Sequence, residues 1–250
     1  MCAMRPVFPA TEPVLKKLVV SALFAGVAAG LVAALLQFAF VQPILLEAEL
    51  YESGQAVHSG NDASAEHDHA GHDHSASTGA GGGWVRNSFS LVFSVFTYVG
   101  YALVLMAVFA FTETRGIAIA KRSGWLWGLA GFAAAQFAPA LGLAPELPGN
   151  AGADLVDRQI WWLATLLLTA VGLWLIAFGN NRGLWALGAV AALAPHLIGA
   201  PQPTSFTGPA PPELAALYAT RALGTGLIAW VVLGVGAAYF WQQENSAETA

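Results

Sequence analysis

Apolar residues in this chain neither alternate nor follow one helical face. They gather into runs of about twenty without a formal charge, the length that crosses a hydrocarbon core of roughly 30 Å. Six runs stand out, at 18–41, 89–111, 125–143, 160–178, 183–200 and 222–241. Each must satisfy its own backbone hydrogen bonds in lipid, and these alanine-, leucine- and glycine-rich sequences suit a helix for that purpose. The pattern predicts an all-α, polytopic transmembrane bundle of six helices, arranged as three hairpins with a disordered outer loop. The fifth run is the weakest, because it carries Pro195 and His196 and follows the fourth after only a tight turn at Asn180, Asn181 and Arg182. Five helices is the alternative.

Charge sets the expected orientation, since cytoplasmic segments retain lysine and arginine. With the N-terminus inside, the inner segments hold Arg5, Lys16, Lys17, Arg115, Lys121, Arg122 and Arg182, against Arg86, Arg158 and Arg221 outside. Residues 1–17 and 242–250 are then cytoplasmic tails, and 42–88 is an outer loop. Trp84, Trp125, Trp127, Trp161, Trp162 and Trp241 fall at predicted helix ends, where indoles anchor in the headgroup layer. The first run follows Lys16 and Lys17 as a secretory signal would. At about 24 residues it exceeds the 7–15 of a signal core, and no small-residue cleavage site follows.

Composition agrees with this picture: of 250 residues, 56% are hydrophobic and 10% charged, and the mean hydropathy is +0.59, which excludes an ordinary soluble domain. A net charge of −5 without a basic stripe excludes a nucleic-acid partner. The single cysteine, Cys2, precedes every run, so neither a disulfide framework nor a thiolate metal site is available.

The candidate chemistry lies first in the polar stretch 47–87, rich in glycine, serine and alanine, which cannot bury a core. Five of the six histidines are here: His58, then His67, His69, His72 and His74, interleaved with Asp68 and Asp73 and close to Asp62 and Glu66. Neutral imidazoles and carboxylates on a flexible backbone can close around Co²⁺, Ni²⁺ or Zn²⁺. Nitrogen and oxygen ligands without sulfur fit several such ions, so the pattern points to metal capture without choosing the metal.

A second signal is an internal match. Residues 138–145 and 194–201 agree as Ala-Pro-x-Leu-x-x-Ala-Pro, each followed by Pro-Glu-Leu, at 145–147 and 212–214, and then by Arg158 or Arg221. Duplicated hairpins of like orientation would account for this, and chance matching among abundant residues is the competing explanation. On the N-in topology the polar residues of the odd helices crowd toward the outer face: Gln37, Gln136 and His196 within the spans, then Glu47, Glu49, Glu146 and Glu213 beyond them. They are the candidate outer mouth. His196 is the only ionisable side chain inside a predicted span, which makes it a functional candidate, against a structural role at a helix end. Glu146, Asp154, Asp157 and Glu213 are either mouth residues or solvated charges partnered by Arg158 and Arg221. Pro139 and Pro195 each leave a carbonyl one turn earlier without its amide, an oxygen a cation could use.

Phe137 to Leu143, Pro145 to Gly149, Arg158-Gln159 before Trp161-Trp162, Pro195-His196, Gly199 to Pro201, Pro43 with 47–51, and Pro212 to Ala215 together resemble the CbtA family of predicted cobalt transporters. The resemblance covers most of the chain. It implies a bacterial inner-membrane protein that takes up cobalt in connection with cobalamin biosynthesis, beside a small single-helix, histidine-containing CbtB-type subunit. The family is commonly drawn with five spans.

No phosphate-binding Gly-x-x-x-x-Gly-Lys-Ser/Thr loop occurs, and neither His-Glu-x-x-His nor a serine nucleophile elbow, so neither ATP hydrolysis nor an intramembrane protease is expected. No cofactor is expected; the metal is cargo. An inside-negative potential is worth roughly 2.3 kcal/mol per elementary charge per 100 mV, enough to accumulate a divalent ion on the order of a thousandfold. The expected function is import of a divalent transition metal, cobalt first, captured by the outer loop. The alternative is a metal-binding sensor or assembly factor that moves nothing.

Overall fold

The computed structural model describes residues 11–56 and 80–248. Among these the chain is helical, with no strand. The helices are α1 (Thr11–Leu36), α2 (Gln42–Glu52), α3 (Ala80–Thr114), α4 (Gly124–Phe132), α5 (Ala138–Ala140), α6 (Leu155–Phe178), α7 (Arg182–Ile198) and α8 (Pro212–Glu248). A π-turn at Gln37–Val41 fuses α1 to α2, and another at Ala133–Phe137 fuses α4 to α5. The eight helices therefore make six rods, one for each apolar run. Four are continuous, long and apolar enough to cross a membrane: Leu15–Glu52, Gly83–Thr114, Leu155–Phe178 and Pro212–Gln243. The other two are shorter: the rod from α4 to α5, over 124–140, and α7, with 17 residues.

Several helices outrun the apolar windows. The segment expected as loop over 42–88 is helical at both ends, through Glu52 and from Ala80. A hydropathy window ends where polarity rises, whereas a helix ends only where its backbone bonding is interrupted, here by positive-φ Gly54 on the first rod. Likewise α8 begins ten residues before its apolar run, at Pro212, a residue suited to the first helical turn.

Lipid supplies no hydrophobic force between helices, so close packing at small residues must do it. Gly26 and Gly30 bring α1 against α3: a Cβ at either would lie 2.5 and 2.6 Å from the Cα of Val99 and Val95. Gly124 and Gly128 face Gly234, Val235 and Val231 of α8 in the same way, and Gly172 of α6 meets Gly188 of α7. The helix order follows from these seams. α1 packs on α3 and α8, α4 packs on α8, and α6 packs on α7.

The arrangement expected from the sequence, three hairpins closed across the outer connections, is therefore not the packing of α7. That helix pairs with α6 across the short turn at 179–181, not with α8. The α6–α7 pair joins the rest chiefly through the second π-turn and α5, helped by ring contacts of Trp174 with Phe111 and of Phe178 with Trp127.

Two cores result. The larger fills the half of the bundle near the 115–123 connection with Tyr98, Met106, Phe109, Trp230, Leu233 and Trp241. The smaller, Ile44, Ala48, Leu147 and Leu214, ties together the opposite end, where α2 ends, α3 begins, and the connections 141–154 and 199–211 lie. We call this the capped end. The backbone bond from Ala151 N–H to the Thr207 carbonyl, 2.8 Å, joins two of those connections.

Candidate functional site

Both π-turns lie two residues before a proline, Pro43 and Pro139. A proline ring clashes with the carbonyl four residues back and offers it no amide, here Ala39 and Ala135. Widening the preceding turn relieves the clash, and such π-bulges occur often at functional sites. Each π-turn also carries a glutamine, Gln37 or Gln136.

Those two glutamines line one cavity of about 660 Å³ between α1, α3, α8 and the second π-turn, which reaches from Leu45, Arg86 and Tyr218 at the capped end down to Ala33 and Thr97. Ser90, Ser94 and Thr97 of α3 and Thr225 of α8 add hydroxyls. Ser94 Oγ donates to the Gly30 carbonyl at 3.0 Å and Thr225 Oγ1 to the Arg221 carbonyl at 2.9 Å. With their protons so committed, these oxygens offer the cavity lone pairs, an acceptor surface. A second cavity of about 430 Å³ is lined by Ala135, Gln136, Pro139, Glu146, Arg158 and Trp162, among others. Gln136 thus stands between the two. Its Oε1 is buried and accepts no hydrogen bond.

The residues singled out in the sequence separate here. Gln37 and Gln136 share a cavity, and Glu146 joins Gln136 in the second, its Oε2 3.0 Å from Arg158 Nη2. Glu47 is exposed on α2, and Glu49, also exposed, reaches Arg86 at 3.5 Å. Glu213 is exposed at the start of α8, and neither it nor His196 lines these cavities. His196 sits edge-on to Trp161, ring centroids 5.8 Å apart. Asp154 caps α6 through the Val156 N–H, 2.9 Å. Arg221 donates instead to the Phe40 carbonyl inside the first π-turn, 3.0 Å. His58, His67, Asp68, His69, His72, Asp73 and His74 lie outside the described residues. Among the described residues no three His, Cys, Asp or Glu side chains form a metal-sized group.

The two matching proline segments do meet, since a Cβ on Gly142 would lie 2.8 Å from the Ala200 Cβ, and neighbouring bonds support the contact. Trp161 Nε1 donates to the Pro195 carbonyl at 3.2 Å, and Gln202 Nε2 to the Gly142 carbonyl at 3.2 Å. Trp161 is 8% exposed and Trp241 only 1%, so these two are core residues, not interfacial anchors; Trp84, at 76%, is exposed. Trp241 binds the end opposite the cap: its Nε1 donates to Glu113 Oε1 at 2.7 Å, and Lys17 Nζ lies 3.9 Å from a ring centroid. Lys17 is 6% exposed, although the sequence placed it in a tail.

A search for ionisable residues within spans misses the cavity hydroxyls. Their signal is spacing: Ser90, Ser94 and Thr97 fall at i, i+4 and i+7, one polar stripe on an apolar helix. Lys17 and Glu113 are missed because each lies at the margin of an apolar run.

Four membrane-capable helices in an all-helical bundle make this a multi-pass membrane protein. The chain belongs to the CbtA family, described as "Probable cobalt transporter subunit", whose model matches residues 15–242. Such a family is one of transporter subunits and not of enzymes. No curated protein and no solved structure matches the chain.

Proposed function

We propose that this protein imports a divalent transition metal, cobalt foremost, across the bacterial inner membrane. In this scheme both termini are cytoplasmic and the capped end faces outward. The histidine-rich segment His58 to His74 gathers ions there, Glu146 draws them into the second cavity, and the membrane potential drives them inward. A small CbtB-type subunit with its own histidines would assist capture, consistent with a family of subunits. Capture without transport, as in a sensor, is the competing function.

The observation that carries the proposal is the course of the two cavities. As open clefts they set oxygen donors along the apolar helices from the capped end inward, beside the Glu146 carboxylate, a path that a receptor or sensor would not need. Glu146 is already paired with Arg158, so an arriving divalent cation competes with a monovalent one, and the stronger charge has the Coulombic advantage.

Proteoliposomes containing only this protein separate binding from flux. An imposed inside-negative potential should drive Co²⁺ uptake, with Ni²⁺ and Zn²⁺ tested as competitors, and Glu146→Gln should slow it. Uptake that persists unchanged after the potential is collapsed would overturn the energetic scheme, and binding without any uptake would leave the sensor.

A further inference from the structure

The two π-turns are alike in sequence context but not in how their polar groups are satisfied. In the first, the Phe40 carbonyl is taken by a built-in cation, the Arg221 guanidinium at 3.0 Å. In the second, Gln136 Oε1 is buried with no partner, and the preceding Ala135 carbonyl has lost its usual amide to Pro139. A buried acceptor left unsatisfied costs about 1–3 kcal/mol, which is retained where the group has work to do. Ala135 and Gln136 both border the second cavity, and Gln136 also borders the first.

We propose that the second π-turn is a divalent-cation site, in which Gln136 Oε1 and backbone oxygen of the turn replace part of the ion's water shell as it passes from one cavity to the other. This deepens the transport function proposed above and rests on it for the identity of the ion. The larger cavity, about 660 Å³, leaves room for the remaining shell, since six waters occupy roughly 180 Å³ as liquid. Arg86 and Arg158, the cations bordering these cavities, are paired with Glu49 and Glu146, so the site is close to neutral. Neutral oxygens hold a divalent ion weakly, and a conducting site must release what it binds. The histidines and carboxylates of the outer segment capture; the amide passes the ion on.

Gly226 supplies a probe that leaves Gln136 chemically intact. A Cβ there would strike Gln136 Oε1, and its three nearest atoms all belong to that amide, whereas a Cβ at Gly224 would meet nothing within 4 Å. Gly226→Ala should therefore displace the amide, and Gly224→Ala should not.

The experiment uses the full chain with its five loop histidines replaced by alanine, so that Co²⁺ binding in detergent reports the bundle. Parallel flux is measured in proteoliposomes of the otherwise native chain. Gln136→Glu should tighten binding about tenfold and slow release, because added ligand charge raises affinity. Gln136→Leu should abolish this binding, Gly226→Ala should weaken it several-fold, and Gly224→Ala should match the parent. Uptake should fall in Gln136→Leu, Gln136→Glu and Gly226→Ala. If Gln136→Leu and Gly226→Ala bind and transport like the parent, the site is wrong while transport stands. If binding follows the expected series but the native chain moves no cobalt, the site stands and transport falls.

Discussion

Replacing Gly30 by alanine tests whether glycine seams hold this bundle together. The new Cβ would lie 2.6 Å from Val95 Cα and 3.1 Å from the Ser94 carbonyl, where ordinary contact begins at 3.4 Å. Both neighbours are backbone, so no side chain can swing aside, and α1 and α3 must part by about 0.8 Å. A gap of that size forfeits roughly a quarter to a half of the dispersion energy along the seam. It also stretches the 3.0 Å bond from Ser94 Oγ to the Gly30 carbonyl, a kind of interhelical bond worth about 0.6 kcal/mol in membranes. Against this, alanine is the better helix former by up to about 1 kcal/mol. The balance is a loss of about 1–3 kcal/mol, the usual cost of overpacking. Gly100→Ala is the control, because a Cβ there meets nothing within 4 Å, so only the propensity gain remains. Unfolding titrations in mild detergent should show Gly30→Ala less stable and Gly100→Ala equal to or more stable than the parent. Equal stability of the two variants would refute the seam.

Trp241→Phe should destabilise the end opposite the cap by about 2 kcal/mol, since it leaves the Glu113 carboxylate without the indole donor and thins the aromatic face under Lys17; thermal unfolding in detergent with Glu113→Gln as a second variant measures it. Trp161→Phe keeps the ring beside His196 but loses the bond to the Pro195 carbonyl, and should cost about 1 kcal/mol and loosen α7 from α6, read as faster amide exchange near Gly199. Cobalt binding by a peptide covering His58 to His74 should be strong at pH 7.5 and lost as pH falls through about 6.5, because only the neutral imidazole ligates. Equal affinity at pH 5 would count against histidine ligation.

The comparison of sequence with structure turns on which interactions are local. Six uncharged runs announce six rods, because the hydrophobic thickness of a bilayer is a one-dimensional constraint that a window along the chain can measure. The family match over 15–242 accords with the residues that carried the resemblance. Helix ends were less legible, since α2 carries charged residues and the first turns of α3 and α8 hold glycine, proline or glutamate, and yet all are helical. The candidate site was legible in part. Gln37 and Gln136 are found by asking which polar residues interrupt apolar runs, and Glu146 by asking which follow them; the first two share a cavity and the last two its neighbour. His196 passes the same test and lines neither cavity, because its ring packs against Trp161 instead.

What the sequence alone determined, then, is the solvent this protein requires, the helical form of its apolar runs, the family it belongs to and the residue types that can meet a cation. Only the tertiary structure decided that α7 lies on α6, that Lys17 and Trp241 are buried together, and that the two π-turns face a common cavity. Those outcomes depend on which glycine meets which backbone across helices far apart in the chain, and lipid, being as apolar as the helix faces themselves, offers no pattern along the sequence from which such partners could be read.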